Sequence, residues 1–299
     1  MDRFHLMTVF VAVAEEEGFA AAARRLRMSP PAVTRAIAVL EERLGVRLLT
    51  RTTRLVRTTD AGARYLEDAR RILLDADEAD EAAAGINATP RGHLAVTAPV
   101  LFGKIYVMPV ITAYQMTYAE TTVSALFVDR VVSLLEEGLD VGIRIGPLPD
   151  SSLRAVRVGQ VRRVVCASPA YLKKYGSPRS PADLAQHPII AATSVFAGSE
   201  WGFAKGKEKI RVRVSPRILV NTNAGAVEAA RGGFGLTRLL SYQVANELEA
   251  GTLEIVLTEF EEASLPVHVI HREGRFGSAK VRSFVDLAVE RLRAHPALR

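Results

Sequence analysis

The sequence predicts an α+β protein with three consecutive parts: a small helical head that ends in a hairpin, one long helix, and a large α/β region. Three observations predict this order. Apolar residues recur at helical spacing through the first 45 residues, the stretch from 60 to 87 contains no proline, and strand and helix patterns alternate beyond residue 91. A length of 299 residues also suits two or three compact domains.

Composition excludes several classes of protein. The chain is 48% hydrophobic and 24% charged, so it can bury a core and is not expected to be disordered. The single cysteine, Cys166, excludes an internal disulfide framework and a cysteine-based zinc cluster. The apolar segment 6–14 lacks the positive leader of a signal peptide, and the long uncharged runs are too short to span a membrane. We therefore expect a soluble, cytoplasmic protein without membrane contact.

The net charge of +6 is unevenly distributed. Residues 1–59 contain ten arginines and six acidic residues, residues 60–90 carry a net charge of −5, and residues 91–299 carry +7. All cations but one in the first part fall between Arg24 and Arg57. Arginine grips a phosphate or a guanine through two hydrogen bonds, although an arginine-rich genome would produce the same bias. The motifs of the first part must therefore decide whether it binds nucleic acid.

The first 45 residues predict three helices in a helix-turn-helix arrangement. The first is predicted from apolar residues at helical spacing: Phe4, Met7, Phe10, Val11 and Ala14. The second spans 19–26, and the third begins with Ser29 as its N-cap and Pro30 in its first turn. Such a unit places the start of its second motif helix in the major groove of DNA. The residues expected at base edges and phosphates are Ser29, Pro30, Pro31, Thr34 and Arg35.

Residues 46–57 predict a wing, which is a pair of short strands around a polar turn. The strands are expected at 46–49 and 55–57, and Thr59 is expected to cap the helix that follows. The tip would bring three side chains to a phosphate or to the minor groove: Arg51, Thr53 and Arg54. An ordinary solvated hairpin would have the same pattern, so both interpretations stay open.

Five pieces of this region resemble the LysR-type transcriptional regulators, in order and at the family's spacing. They are FHLMTVFVAVA (4–14), GFAAAARRL (18–26), SPPAVTR (29–35), LEERLGVRLL (40–49), and RTTR followed by TTDAG (51–62). Gly18 departs from the family, which usually has serine at this place. The resemblance implies a winged helix-turn-helix DNA-binding domain on residues 1–59.

The segment from 60 to about 87 predicts one long helix with a coiled-coil seam. Apolar residues follow a three-and-four spacing at Leu66, Ala69, Leu73, Ala76 and Ala83. The helix must bury this stripe against a second copy or against its own domain, and we favour the second copy. Residues 60–90 are therefore expected to form a linker and dimerisation helix with a hinge. A homodimer, or a dimer of dimers, would place two heads on the half-sites of a near-palindromic operator.

Strand and helix patterns alternate beyond the hinge at 87–92, as they do in proteins with parallel sheets. A first set predicts strands near 93–98, 122–127 and 140–145, and helices near 101–116 and 130–137. A second set predicts strands near 162–167, 189–193, 209–214 and 218–221, and helices near 170–175, 182–186 and 224–231. A strand at 267–271 and a helix at 279–294 close the chain and could return to the first set.

For residues 91–299 the resemblance implies an effector-binding domain with two α/β subdomains, similar to periplasmic solute-binding proteins. The pieces that resemble it are DVGIRIG (140–146), CASPAYL (166–172) and AARGGFG (229–235). Subdomain I would comprise about 91–161 and 267–299, and subdomain II about 162–266. The implied function is a sequence-specific regulator in which a small molecule in the cleft alters oligomer geometry and DNA bending. The expected partners are double-stranded DNA, a small co-inducer and a second copy, with RNA polymerase as a further candidate.

Two places on this domain predict the ligand contacts. Ligands of open α/β sheets bind beyond the carboxyl ends of strands, where helix N-termini present N–H groups, and a strand runs into a helix start at 97–100 and at 221–224. A small anion could bridge the two. The expected polar or backbone contacts are Thr97, Val100, Thr222 and Asn223, and the expected walls are Phe127, Gly146, Phe196 and Trp201. Helix capping by Thr222 and Asn223, and core burial of Trp201, are the alternative interpretations.

An enzyme is the competing class of function. The sequence has no G-x-S-x-G, H-E-x-x-H or Walker motif, and 232–235 lacks the third glycine of a dinucleotide turn. His268 and His271 would point to opposite faces of a strand, which does not suit a metal pair. Cys166 lies in an apolar run and is interpreted as a packed side chain. We therefore expect no enzymatic activity, cofactor or metal; a binding protein with a vestigial head is the third possibility.

Overall fold

The computed structural model describes residues 2–51, 56–83, 89–193, 200–272 and 278–299, without the side chains at 51, 74–75, 77–79 and 81–83. These residues group into two compact units, one built mainly on the first 88 residues and the other mainly on those that follow. Within the described ranges, no helix has both the length and the apolar character that a bilayer crossing requires.

The N-terminal unit has the predicted order of elements. They are α1 (Arg3–Glu15), α2 (Phe19–Arg25), α3 (Pro30–Leu44), β1 (Leu49–Arg51), β2 (Val56–Thr58) and α4 (Asp60–Ala83). The buried face of α1 differs from the predicted stripe, because the helix contacts both α3 and α4 and buries a wider arc that includes Leu6, Val9 and Val13. Phe4, which belonged to the predicted stripe, is 45% exposed.

The antiparallel hairpin of β1 and β2 begins later than predicted. Its first strand starts at Leu49 because Glu41 already holds the chain before it: Glu41 Oε1 accepts hydrogen bonds from the N–H groups of Leu48 (2.8 Å) and Leu49 (3.0 Å). The tip at 52–55, with the predicted contacts Thr53 and Arg54, lies outside the described residues. The carboxylate of Glu41 thereby connects the hairpin to α3.

Helix α4 packs closely on the hairpin where the helix begins. Thr59 caps it as predicted, since its hydroxyl accepts a hydrogen bond from the Gly62 N–H at 2.9 Å. A Cβ atom at Gly62 would lie under 3.0 Å from the carbonyl oxygen of Leu48, a distance that real Cβ atoms essentially never show. Glycine is therefore required at this contact.

The first half of α4 belongs to the core of its own domain, which corrects part of the predicted seam. Ala69 is fully buried (0% exposed), and Leu66 packs on the core of the head. The Tyr65 ring meets the Phe10 ring edge-on, with centroids 5.5 Å apart. Two of the five seam positions therefore face α4's own domain instead of a second copy. Of the others, Leu73 and Ala76 are half-buried, and the side chain of Ala83 lies outside the description.

The C-terminal unit is built from strands and helices in alternation. The strands are β3 (Gly92–Ala98), β4 (Thr121–Phe127), β5 (Val141–Ile145), β6 (Leu153–Val161), β7 (Arg163–Ala167), β8 (Ile189–Ala192), β9 (Glu200–Lys205), β10 (Glu208–Arg213), β11 (Pro216–Val220), β12 (Leu236–Leu240), β13 (Glu254–Val256) and β14 (Leu265–Arg272). The α-helices are α5 (Val100–Phe102), α6 (Met108–Thr117), α7 (Pro169–Tyr175), α8 (Asn223–Arg231), α9 (Ala245–Glu249) and α10 (Ala279–Ala294). A π-helical segment, Gly103–Val107, joins α5 to α6.

The strands form two mixed five-stranded sheets and a separate hairpin. The first sheet has the order β4-β3-β5-β14-β6 and the second the order β11-β8-β12-β7-β13, while β9 and β10 pair with each other. Parallel pairing, as the alternating pattern predicted, holds β4, β3 and β5 together and β11, β8 and β12 together. Strands β14 and β7 are antiparallel to both of their neighbours. Strand β14 returns to the first sheet from far along the chain.

One predicted helix is wrong and four strands were not predicted. Residues 128–140 form bends and turns instead of the helix expected at 130–137. Val131 and Val132 are β-branched, and Gly138 has a φ of +62°, so this short segment has weak helix propensity. Strand β6 is rich in arginine because it lies at the edge of its sheet, and β13 has only three residues. Strands β9 and β12 were also missed.

Hydrophobic clusters pack on both sheets. In the first sheet, residues of β3, β5 and β14 pack with those of α6 and α10 in one large cluster that includes Tyr114 and Phe284. The second sheet contributes Leu240 to this cluster and also packs in two clusters of its own. One contains residues of α7 and of the β9–β10 hairpin, and the other contains residues of α8 together with Cys166. These cores fix the positions of the strands, and the candidate site lies at the strand ends.

Candidate functional site

The first turn of α3 is exposed and has few backbone donors. Ser29 occupies the N-cap position with extended backbone, but its hydroxyl makes no capping hydrogen bond. Pro30 and Pro31 have no N–H, and the N–H groups of Ala32 and Val33 both donate to the Ser29 carbonyl oxygen. A phosphate at this helix start would therefore have to be bound by side chains.

Several predicted DNA contacts lie together at this turn. Ser29, Pro30, Pro31 and Arg35 are exposed, and Thr34 is half-buried beside them. The turn that precedes the helix is tight, because Arg27 has a φ of +53°. The first two turns of α3 thus present a short polar side chain, two prolines and a guanidinium to solvent.

Glu15 binds two other arginines of the N-terminal unit. Its carboxylate accepts a hydrogen bond from Arg25 at 2.7 Å and two from Arg70, on α4, at 2.8 and 3.0 Å. Burial alone would raise the pKa of Glu15, but these hydrogen bonds and charges lower it below its ordinary value. Arg25, although it falls within the cationic cluster of the sequence, is thus a structural arginine.

A cavity of about 650 Å³ lies in the C-terminal unit, at the carboxyl ends of strands from both sheets. On the first sheet it is lined by Phe127 and by Val100 at the start of α5. On the second sheet it is lined by Thr193 after β8 and by Thr222 and Asn223 at the start of α8. This is the place where open α/β sheets bind ligands.

Four of the eight predicted ligand residues line the cavity, namely Val100, Phe127, Thr222 and Asn223. Thr97 does not, because its hydroxyl is buried in the sheet and donates to the Leu126 carbonyl oxygen at 2.8 Å. Trp201 is 4% exposed and lies in the hairpin core, as the alternative interpretation held. Gly146 does not line the cavity either; its N–H donates to the Pro266 carbonyl oxygen at 2.8 Å. Phe196 lies outside the described residues.

Asp129, which the sequence analysis did not single out, also lines this cavity. Its Oδ1 accepts a hydrogen bond of 3.0 Å from the Val100 N–H, and its Oδ2 accepts one of 3.3 Å from Asn223 Nδ2. The Asn223 side chain is 3% exposed, and the Thr222 hydroxyl caps α8 by accepting from the Gly225 N–H at 3.2 Å. The signal that could have revealed Asp129 is its place just beyond the carboxyl end of β4.

A second cavity, of about 250 Å³, continues past Asp129 and is rich in cations. Its lining contains three arginines, Arg130, Arg144 and Arg163, and one aspartate, Asp129. Arg144 donates to the Val132 carbonyl oxygen, and Arg163 lies 3.6 Å from Glu262. The lining of this cavity therefore has more positively than negatively charged side chains.

Tyr242 closes the inner side of the second cavity. Burial raises the pKa of its hydroxyl, which lies 3.3 Å from Gln243 Nε2. Its ring packs on Phe102 and Tyr106, with centroids 5.3 and 6.0 Å away. Tyr242 thus adds an aromatic side chain to a lining that also contains three arginines.

The position of Phe127 in the cavity wall depends on a glycine behind it. A Cβ atom at Gly103 would come within 3.0 Å of the Phe127 ring. Gly103 begins the π-helical segment between α5 and α6, and such segments are common at functional sites. The shape of the wall therefore requires glycine at this position.

The groups weighed for other chemistry are arranged differently. Burial raises the pKa of the Cys166 thiol to about 12, which opposes the thiolate that a redox sensor needs. His268 is half-buried near Arg157, and His271 bonds to the carbonyl oxygen of Arg272. Among the residues that the structure describes, no three His, Cys, Asp or Glu side chains are grouped to hold a metal ion.

Comparisons with known proteins identify both parts of the chain. The family model of the bacterial regulatory helix-turn-helix protein, lysR family, matches residues 4–63, and that of the LysR substrate binding domain matches residues 87–293. The transcriptional activator AaeR of Escherichia coli (strain K12) is 33% identical over 275 residues, which cover 91% of this chain and 88% of that protein. The regulator CrgA of Neisseria meningitidis serogroup C (strain 8013) is 31% identical over 289 residues, 96% of each protein.

Solved structures agree with these relatives. The structure of CrgA from Neisseria meningitidis aligns with a TM-score of 0.62 at 30% identity and covers 96% of this chain and 98% of that one. The full-length virulence activator AphB of Vibrio cholerae shares the fold, with a TM-score of 0.64 at 24% identity over 97% of this chain and 99% of that one. The relatives are named as transcriptional regulators and not as enzymes. The chain belongs to the LysR family of DNA-binding transcriptional regulators, with a helix-turn-helix domain followed by an effector-binding domain.

Proposed function

We propose that the chain binds a near-palindromic operator as a homodimer, or as a dimer of dimers, and that a small anion in the cleft changes the geometry of the oligomer and the bend of the DNA. The observation that carries this proposal is the exposed first turn of α3, with its side chains directed to solvent and its donors removed by proline. Binding to chromosomal DNA would place the protein in the cytoplasm, where RNA polymerase is a further candidate partner.

The proposed DNA contacts divide between the helix and the wing. From α3 they are Ser29, Pro30, Pro31, Thr34 and Arg35, and from the wing they are Arg51, Thr53 and Arg54. The helix contacts would read bases in the major groove, and the wing arginines would bind phosphates. Because Arg25 is engaged by Glu15, we assign it no DNA contact.

The proposed effector is a small anion held between the two sheets, each of which we assign to one subdomain. The starts of α5 and α8 supply fixed donors, and the arginines of the second cavity supply positive charge. The contacts proposed are Val100, Phe127, Thr222 and Asn223. Closure of the two sheets on the ligand is the change that would be transmitted to the oligomer.

The dimer is proposed to use the second half of α4. Leu66 and Ala69 are occupied by the head, which leaves Leu73, Ala76 and Ala83 for a second copy. A shorter seam gives a weaker contact between two α4 helices, so other surfaces are expected to contribute. Analytical ultracentrifugation of the wild-type chain and a Leu73→Ala variant would measure this contribution.

A mobility-shift assay with the chain's own promoter region tests the DNA-binding part. We expect a retarded complex whose affinity falls steeply between about 50 and 200 mM salt, because bound phosphates release counterions. An unrelated duplex of equal length serves as the control for specificity. Equal affinity for both duplexes would contradict the proposal.

A thermal-shift screen of small carboxylates and aromatic acids tests the ligand part. We expect at least one compound to raise the Tm of the wild-type chain in a saturable way and to have a smaller effect on Asn223→Ala. The same compound should alter the mobility shift. A compound that stabilises both proteins equally would count against the cleft.

A further inference from the structure

Asp129 joins the two sheets with a single carboxylate. It stands two residues beyond the end of β4, in the first sheet. One of its oxygens accepts from the first residue of α5, Val100, and the other accepts from the first residue of α8, Asn223. Helix α5 follows a strand of the first sheet, and α8 follows β11 of the second. The carboxylate therefore spans the cleft in which the effector is proposed to bind.

The place that Asp129 occupies has the properties of a carboxylate-binding position. Two oxygens meet two donors, one from a helix backbone and one from a buried amide, at 3.0 and 3.3 Å. Both donors lie at helix starts, which favour negative charge, and the arginines of the second cavity lie nearby. A small anionic effector that entered the cleft would meet the same two donors.

We propose that Asp129 is an internal competitor of the effector. In the ligand-free protein its carboxylate holds Val100 and Asn223 together and fixes the spacing of the two sheets. An effector carboxylate displaces it from these donors, and the bridge between the sheets is then made by the ligand. The inference rests on the proposed function and adds to it a ligand class, carboxylates, and a residue that sets the affinity for them.

Formate tests this competition, because it is a carboxylate small enough to take the place of the Asp129 side-chain group. The full-length Asp129→Ala variant and the wild-type chain are titrated with sodium formate, and sodium chloride keeps the ionic strength constant. We expect a saturable rise in Tm of about 2–4 °C for Asp129→Ala. The wild-type chain should show no rise, because Asp129 already fills the position.

Three further variants make the result specific. Asp150→Ala removes an exposed aspartate of the same unit and should behave as the wild-type chain. Asp129→Ala combined with Asn223→Ala lacks one of the two donors and should lose most of the formate response. Asp129→Ser vacates the same space and serves as the second variant if Asp129→Ala does not fold.

The outcomes separate this inference from the proposed function. Absence of a formate response in both Asp129→Ala and Asp129→Ser, or an equal response in the wild-type chain or in Asp150→Ala, would overturn the competition. None of these measurements needs DNA or the natural effector. If the chain bound its operator and responded to a ligand but formate had no selective effect, the proposed function would stand and this inference would fall.

Discussion

The start of α3 differs from the starts of α5 and α8 in the hydrogen-bonding groups that it offers a ligand. At α3 two prolines remove donors, the Ser29 hydroxyl makes no cap, and the exposed groups are side chains. At α8 the Thr222 hydroxyl caps the helix, and at α5 the Val100 N–H bonds to Asp129. The first arrangement suits a long, variable polyanion, because side chains can adjust to it. The second suits one small ligand, because its donors are fixed in place.

One glycine packs near each of these surfaces, and the two differ in what an added Cβ atom would meet. Gly62 keeps α4 close to the hairpin of the head, and Gly103 leaves room for Phe127 in the wall of the cleft. A Cβ at Gly62 would meet backbone, which cannot turn away, whereas a Cβ at Gly103 would meet an aromatic ring. Substitutions at these positions should therefore damage one surface at a time, and to different degrees.

Gly62→Ala should have the largest effect on the head. The new methyl group would lie under 3.0 Å from the Leu48 carbonyl oxygen, so α4 and the hairpin must separate. We expect a loss of about 3 kcal/mol or more in the free energy of unfolding of the head, together with loss of operator binding. Urea unfolding followed by circular dichroism measures the first and a mobility shift the second. Gly45→Ala is the control, because its new methyl group would meet no atom within 4 Å and only backbone strain would act. An equal loss of stability in both variants would refute the steric explanation.

Gly103→Ala should act on the cleft instead. The Phe127 ring must move to accommodate the methyl group, at a cost of about 1–3 kcal/mol in the free energy of unfolding. We expect weaker binding of the effector found by the thermal-shift screen and unchanged affinity for operator DNA in the absence of ligand. Calorimetric titration of the ligand measures the first effect. If DNA binding fell while ligand binding stayed the same, the assignment of Phe127 to the cleft wall would be wrong.

Arg35→Ala should reduce operator affinity by about 1–3 kcal/mol without unfolding the protein. Arg35 is exposed in the second turn of α3 and is the first arginine within that helix. Arg71→Ala removes an exposed arginine of α4 that pairs with Asp68 and serves as the matched control. Filter binding at two salt concentrations measures both variants. Equal losses would show that the effect is one of net charge and not of a contact by Arg35.

Local signals in the sequence predicted more of the head than of the cleft. Ser29 followed by proline predicted where α3 begins, and the capping role of Thr59 was found as predicted. The cleft depends on pairings between distant residues, such as β14 with β5 and β6, and on Asp129 reaching Asn223 across 94 positions. No local period reports such contacts. Leu66 and Ala69 show the same limit, because a seam pattern does not say which partner covers it.

The hydroxyls at two N-cap positions differ, because that of Ser29 caps nothing and that of Thr222 caps its helix. Ser29→Ala should leave the free energy of unfolding almost unchanged, because its hydroxyl caps nothing, and should still weaken operator binding. Thr222→Ala removes a cap that accepts from the Gly225 N–H and should cost about 1 kcal/mol of stability. Thermal unfolding and mobility shifts of both variants measure the difference. A stability loss in Ser29→Ala equal to that in Thr222→Ala would mean that Ser29 supports the fold and does not primarily read DNA.

Glu15 and Asp140 should have the smallest effects on the free energy of unfolding, and these effects should change with pH in opposite directions. Burial opposes the charged form of Glu15, but hydrogen bonds from Arg25 and Arg70 outweigh it and lower the pKa of Glu15. The stability that Glu15 contributes is therefore complete above its ordinary pKa of 4.5. It is lost as the pH falls through the lower pKa of the folded state. Burial raises the pKa of Asp140, despite a hydrogen bond from the Ala95 N–H at 2.7 Å. Its charged form therefore costs stability at neutral pH, and this cost is relieved as the pH falls toward 3.8.

Variants that replace each carboxylate by a neutral amide test these opposite pH dependences. The destabilisation caused by Glu15→Gln should be at most about 1 kcal/mol, since the ion pairs are partly exposed, and it should shrink as the pH is lowered from about 6 to about 3.5. The destabilisation caused by Asp140→Asn should instead grow over the same range, because the wild-type chain gains stability there while the variant does not titrate at this position. Urea unfolding of both variants and the wild-type chain across this pH range gives the two slopes. Parallel slopes would contradict this prediction, because they would mean that Glu15 and Asp140 lie in equivalent environments. In the structure, arginine side chains bind the Glu15 carboxylate, whereas Asp140 is buried and accepts from a backbone N–H.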